Sequence, residues 1–177
     1  MYSNFINLND FFEGCGPDYC VIKMPSYFPN YYAHSDLDIL CKDKEQMTLA
    51  AVTFLRRKQY KAAISVHHPE SGKHSHVDVY PIGKPLDFKF DFIDSFSMYK
   101  KNRVSNKFKD FILENKVIAN GVYVPSMPCE MVIRKLEYEE HIESRPDKIK
   151  HLKYVESKPE YAREFQRIWE TYVLGGR

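Results

Sequence analysis

Asp36 and Asp38 stand one residue apart in His34-Ser35-Asp36-Leu37-Asp38-Ile39-Leu40. In an extended strand successive side chains alternate between faces. The two carboxylates then share one face, and Leu37, Ile39 and Cys41 point into a core on the other. Like charges on one face repel, and a hard divalent cation relieves the repulsion by taking carboxylate oxygens. The plain alternative is a solvated strand face with two harmless acids. A third carboxylate decides between them. Asp78, flanked by Val77 and Val79 on the return strand of an expected hairpin, is the expected partner. Asp91, in Phe90-Asp91-Phe92, is its rival, with weaker strand and hairpin signals around it. Three acids converging from neighbouring strands hold one or two Mg²⁺ (or Mn²⁺) ions. Two such ions clamp the attacking and leaving oxygens of an in-line phosphoryl displacement.

Histidines gather near the same hairpin: His67, His68, His74 and His76. On a strand, His74, His76 and Asp78 share a face. They either extend the metal site and supply acid–base groups, or they mark a hairpin tip in water. No group of residues has the spacing of a structural zinc site. His34, two residues before Asp36, is placed for a supporting role.

The elements that must position these groups follow from periodicity and punctuation. A short helix is expected over Ser3 to Glu13, ended at Gly14 and Gly16, then a strand over Tyr19 to Lys23 and the acidic strand. Asp43 is placed to cap a helix running to Lys58. Strands are expected from Lys61 to His67 and His74 to Tyr80, with a turn at Pro69–Lys73 between them, and from Leu86 to Phe92. From Ser95 the composition shifts. A helix is expected over Lys107 to Glu114, then a hairpin from Lys116 to Val124 around Asn120-Gly121. A helix from Met127 to Ile142, capped by Ser126, precedes a short one over Asp147 to Val155, opened by Pro146. Ser157-Lys158-Pro159-Glu160 has the capping-box pattern before a last helix that runs to Val173. The expected fold is α+β: a mixed or antiparallel sheet flanked by helices over residues 1–95, followed by a mainly helical part, 96–177, packed on it.

The motifs, taken in order, resemble the nucleotidyltransferase superfamily of the DNA polymerase β-like fold, and the context resembles its small bacterial and viral members. The family's signature is an apolar residue with Gly-Ser or Gly-Gly, a gap, an Asp-apolar-Asp-apolar run, and later an acid between apolar residues. This chain has Met24-Pro25-Ser26, nine residues, Asp36-Leu37-Asp38-Ile39, and then Val77-Asp78-Val79. The resemblance covers the first half of the chain. It implies that Ser26 contacts a nucleoside triphosphate and that Asp36, Asp38 and Asp78 bind metal and carry catalysis. One position departs: Pro25 stands where the family has Gly, and proline lacks the N–H that a backbone phosphate cradle uses. In such enzymes a helical part often closes over the nucleotide, which makes Arg134 and Lys148 the candidate triphosphate contacts. The alternative for both is a solvated helix face. Tyr27, Phe28, Tyr31 and Tyr32 either stack on a base or sugar or pack their loop onto the domain.

Composition bounds the rest. The 177 residues are 44% hydrophobic, enough for a packed core, and carry a net charge of +2. That balance has no basic stripe for long nucleic acid, so a small phosphorylated or hydroxyl acceptor, or a glycan precursor, is expected. Some proteins of this kind accompany surface-polysaccharide genes. Cys15, Cys20, Cys41 and Cys129 form no CxxC pair and are expected to stay reduced. With no signal peptide and no membrane span read from the chain, a cytoplasmic protein is expected. The expected function is Mg²⁺-dependent transfer of a nucleoside monophosphate from a nucleoside triphosphate. The alternatives are phospho-alcohol transfer onto a glycan, and a degenerate domain that binds a nucleotide or a partner without turnover.

Overall fold

The computed structural model describes residues 2–3, 6–57, 62–68, 74–82 and 87–175. The turn expected at Pro69–Lys73 lies outside these residues. So do Asn4 and Phe5 of the first expected helix, and Lys58, Lys61 and Leu86 at the expected element ends. The chain divides into two compact units, Met1–Asp94 with Ile118–Val124, and Ser95–Val117 with Pro125–Arg177. Its fold class is mixed α+β.

The first unit is built in the order β1 (Tyr2–Ser3), α1 (Leu8–Glu13), β2 (Tyr19–Val21), β3 (Tyr31–Tyr32), β4 (Ser35–Cys41), α2 (Lys44–Arg57), β5 (Ala62–His67), β6 (His74–Pro81) and β7 (Phe88–Ile93). A hairpin of β8 (Val117–Ala119) and β9 (Val122–Val124) follows α3 (Lys107–Glu114) of the second unit. The main sheet has five strands in the order β2-β4-β7-β6-β5. All its pairs are antiparallel except β4 with β7, which run parallel. A parallel neighbour requires a crossover. Here the crossover is the whole run α2-β5-β6, so β7 arrives late in sequence and inserts beside β4.

Period-two patterning sorts the sheet into two faces. Leu37, Ile39 and Cys41 of β4, Val77 and Val79 of β6, and Phe88, Phe90 and Phe92 of β7 are buried. This face packs against α1 and α2, with the Phe11 and Phe90 rings 4.9 Å apart. The aromatic run resolves along the same lines. Phe28 and Tyr31 are buried, Tyr31 against the Phe88 ring at 4.6 Å, and the Tyr31 hydroxyl donates to Asp87 at 2.9 Å. Tyr27 of the loop before β3 meets Tyr32 of β3 edge to face.

Asp43 caps α2 as expected: its Oδ1 accepts from the backbone N–H of Glu45 at 2.9 Å and of Gln46 at 3.0 Å. Asp43→Ala is expected to cost about 1 kcal/mol, measured by urea denaturation, with no change in ligand binding. At the β8–β9 turn Asn120 and Gly121 both have positive φ, 50° and 82°, the conformation that an Asn-Gly hairpin turn supplies.

The second unit comprises α3, α4 (Met127–His141), α5 (Ile149–Glu156) and α6 (Ala162–Trp169), with tight 3₁₀ turns at Pro146–Lys148 and Pro159–Tyr161 and a wide helical turn at Glu170–Leu174. Two expected caps do not form. Ser126 makes no side-chain cap bond, although its carbonyl accepts the first helical bond, from Glu130 N–H at 2.9 Å. The Ser157 hydroxyl turns back to the Tyr154 carbonyl at 2.7 Å, so the Ser157–Glu160 capping box is absent. At Ser157, local side-chain-to-backbone bonding to the preceding helix competes with forward capping and wins.

All four cysteines are free thiols. Burial pushes the Cys15 and Cys129 thiols up to about 11, which suppresses the thiolates that cysteine chemistry needs. Among the described residues no helix is long and apolar enough to cross a membrane.

Candidate functional site

The face of the sheet opposite the aromatic core is polar. Its geometry follows from the register, because residues paired across a ladder share a face. Asp36 of β4 pairs with Lys89 of β7, Lys89 with Asp78 of β6, and Asp78 with Ser65 of β5. One step along, Asp38 pairs with Asp91, Asp91 with His76, and His76 with His67. The face is thus two adjacent rows of chemistry-bearing side chains.

Asp36 and Asp38 share this face, as the alternation required. The carboxylate beside them is Asp91, in direct register with Asp38 on the neighbouring strand. Asp78 lies two strands from β4, roughly 10 Å away at the usual strand spacing, with Lys89 standing between it and Asp36. The strand order therefore sets Asp36, Asp38 and Asp91 on one face of the β4–β7 pair, and leaves Asp78 in a separate pairing. Asp78 Oδ2 accepts from the Tyr80 hydroxyl at 3.2 Å and lies 3.4 Å from His67 Nε2. Its Oδ1 is buried with no hydrogen-bond partner among the described residues.

Asp91 had a signal of its own in the sequence. A strand in the middle of a sheet with a parallel neighbour is covered more completely than an edge hairpin, so its apolar residues are larger and denser. Phe88, Phe90, Phe92 and Ile93 mark β7 as that central strand. An acid set among them is buried by necessity and needs a polar reason to be there.

Each acid has a cationic or imidazole neighbour. Lys23 Nζ is 2.8 Å from Asp38 Oδ2, and Lys89 Nζ is 3.7 Å from Asp36 Oδ2. Lys23 follows β2 with φ at 52°, a left-handed conformation uncommon outside glycine. Burial raises the Asp38 carboxyl above its ordinary range; Lys23 opposes the rise, and the charges of Asp91 and Asp36 add to it. The Lys23 ion pair therefore does not offset the cost of holding Asp38 ionised.

The sign of the pH effect follows. A carboxyl whose folded value is raised holds its proton more tightly folded than unfolded. Its stabilising contribution is complete below the ordinary carboxylate range, near 3.8, and is lost as pH rises through the folded value. In the presence of a chelator, Asp38→Asn should therefore melt higher than the wild-type chain near neutral pH. The gap should close as pH falls toward about 4, measured as thermal midpoints across that range.

His74 Nδ1 and His76 Nε2 converge on one oxygen of Asp91, Oδ1, at 3.0 Å and 3.2 Å. Burial pushes the Asp91 carboxyl up, but the hydrogen bond from His74 and the charges of His74, His76 and Lys89 bring it below its ordinary value. Burial lowers His76; Asp91 opposes this, while Lys89 and His74 add to it. Among the described residues, His74, His76 and Asp91 are the one group whose ligand atoms all lie within 4.8 Å of one another, and they form a possible metal-binding triad.

The remaining candidates fall elsewhere. Ser26 is exposed in the loop after β2. His34, at φ 68°, immediately precedes β4 and donates its backbone N–H to Asp87 at 2.8 Å. Lys148 and Arg134 both belong to the second unit and are engaged within it. Lys148 is buried and ion-paired with Glu137. Arg134 binds Glu130 at 2.7 Å, reaches His151 at 3.3 Å and lies over the Tyr154 ring at 4.2 Å. Neither is the solvated cation that either sequence reading assumed.

Compared with known proteins, the chain matches no family model, no curated protein and no solved structure.

Proposed function

We propose that the chain is a divalent-metal-dependent nucleotidyltransferase of the polymerase β-like type, with Asp36, Asp38 and Asp91 as its carboxylates. The observation that carries this reading is the parallel β4–β7 register, which sets Asp38 beside Asp91 with Asp36 on the same face. Asp91 thus replaces Asp78 as the third acid of the resemblance; the order of motifs along the chain is unchanged.

The donor set suits a hard cation. Three carboxylates supply oxygen ligands, and Asp38 remains hard to ionise even beside Lys23. A bound Mg²⁺ or Mn²⁺ supplies charge stabilisation at a phosphoryl group and lowers the cost of deprotonating an acceptor hydroxyl. The chain's own contribution is placement. The β4–β7 ladder holds the acids on rigid backbone, with Lys23 ion-paired to Asp38 and Lys89 3.7 Å from Asp36. Ser26, exposed in the preceding loop, is available to a triphosphate. Arg134 and Lys148 have no part in this proposal, because their charges are already engaged. The substrate class is a nucleoside triphosphate with a small phosphorylated or hydroxyl acceptor, in surface-polysaccharide metabolism.

Pro25 favours a second reading, binding without turnover, because it removes a backbone N–H from the loop that would hold phosphate. One experiment separates the two. Thermal midpoints are measured with Mg²⁺ or Mn²⁺ and each nucleoside triphosphate, since a ligand of the folded state raises the midpoint. Pyrophosphate release is then followed with sugar-phosphate, polyol and glycan acceptors. A metal-dependent shift with release supports transfer; a shift without release on any acceptor supports binding alone. No shift with any triphosphate rejects both.

A further inference from the structure

We infer that His74, His76 and Asp91 form a site for a borderline divalent transition-metal ion of the zinc, cobalt or nickel kind, chemically distinct from the hard-cation chemistry of the carboxylate row. The inference stands on the β6–β7 pair and is independent of nucleotidyl transfer.

Residue type sets the class. Imidazole nitrogen suits zinc, nickel, copper and iron, whereas Mg²⁺ prefers oxygen and retains its water. Two imidazoles with one carboxylate is a donor set of the first kind. The backbone delivers it: residues spaced by two on β6 project to one face, and Asp91 is the direct partner of His76 across the antiparallel pair.

The geometry suits a small ion. Metal bonds of about 2.0–2.1 Å in a tetrahedral site place ligand atoms roughly 3.3 Å apart. The two nitrogen–oxygen separations are 3.0 Å and 3.2 Å, and the whole set lies within 4.8 Å. Exchanging the His74–Asp91 hydrogen bond and the His76–Asp91 contact for metal bonds therefore needs little movement of carboxylate or rings. The side chains of His74 and His76 are 24% and 26% exposed against 11% for Asp91. The carboxylate is anchored below and the rings are reachable from solvent, which leaves a coordination position for water or a substrate atom. Both imidazoles meet Oδ1 alone, so Oδ2 stands outside these contacts, and Asp91 can belong to this site and to the row with Asp38.

The test uses the full chain without a histidine tag. Zn²⁺ is titrated by calorimetry in a large excess of Mg²⁺, and Co²⁺ binding is followed by its visible absorption. The expected result is one Zn²⁺ bound per chain and not displaced by Mg²⁺, with low-symmetry Co²⁺ absorption that Zn²⁺ abolishes. His74→Ala and His76→Ala should each weaken Zn²⁺ by more than about 100-fold, beyond the loss typical of an outer-shell partner, and His68→Ala should not. His74→Gln and His76→Gln, which keep side-chain bulk and a polar end, are read in place of any alanine variant that loses its circular dichroism. Zn²⁺ binding no tighter than Mg²⁺, or an affinity unchanged by both His74 and His76 substitutions, overturns the inference. Either result leaves pyrophosphate release by the carboxylate row to stand or fall on its own assay.

Discussion

Asp38→Asn should lower pyrophosphate release from a nucleoside triphosphate on the order of 10³-fold, in a chain that folds at least as well as the wild type near neutral pH. A metal ion on carboxylates supplies several kcal/mol of transition-state charge stabilisation, and each ~1.4 kcal/mol is a factor of ten in rate. Asparagine keeps the shape of the side chain and removes the charge that holds the ion. The stability half of the prediction has a separate origin. Burial already disfavours ionised Asp38 against the pull of Lys23, so the neutral side chain relieves the fold. Lost activity with retained stability marks a residue kept for chemistry rather than for packing. Asp91→Asn should fall as far in turnover, and Asp78→Asn by much less, because Asp78 stands beyond Lys89 in the ladder. Equal losses for Asp78 and Asp91, or full activity in Asp38→Asn, would sink the assignment of the three carboxylates.

Lys148→Met should destabilise the second unit by about 3–5 kcal/mol, the cost of leaving a buried charge without its partner. Lys148 and Glu137 are both buried, their side chains form an ion pair, and Glu137 also accepts from the Tyr99 hydroxyl at 3.1 Å. Removing the ammonium takes from the buried Glu137 carboxylate its Lys148 partner and leaves the neutral Tyr99 hydroxyl beside it. Glu137→Gln combined with Lys148→Met should recover most of the loss, since a neutral pair carries no uncompensated charge. The measurement is chemical denaturation followed by fluorescence of Trp169, the single tryptophan, which is buried in this unit. A Lys148 that served a triphosphate would behave differently. Its loss would raise the KM for nucleotide and leave the unliganded midpoint in place. A free-chain midpoint unchanged in Lys148→Met would return Lys148 to the list of nucleotide contacts.

The two aspartates of β4 needed no tertiary information to be placed together. Alternation is a property of the extended backbone, so any strand over Ser35–Cys41 that buries Leu37, Ile39 and Cys41 must show Asp36 and Asp38 on its other face. The Asp43 cap, the Asn120-Gly121 turn and the limits of α3 were legible for the same reason: each depends on contacts within a few residues. The caps at Ser126 and Ser157 were equally local patterns and did not form; the Ser157 hydroxyl is taken up by the Tyr154 carbonyl of the turn before it.

Strand order is a different kind of fact. Nothing local to Val77-Asp78-Val79 or Phe90-Asp91-Phe92 states which strand lies beside β4. The choice is made by burial: the three phenylalanines of β7 lose the most water when that strand takes the centre of the sheet over α1 and α2. That placement carries Asp91 to Asp38 and to the two histidines, and leaves Asp78 with Tyr80 and His67. Periodicity along the chain thus determined which side chains face the polar side. Only the packing of a strand against strands distant in sequence decided which acids and imidazoles meet there.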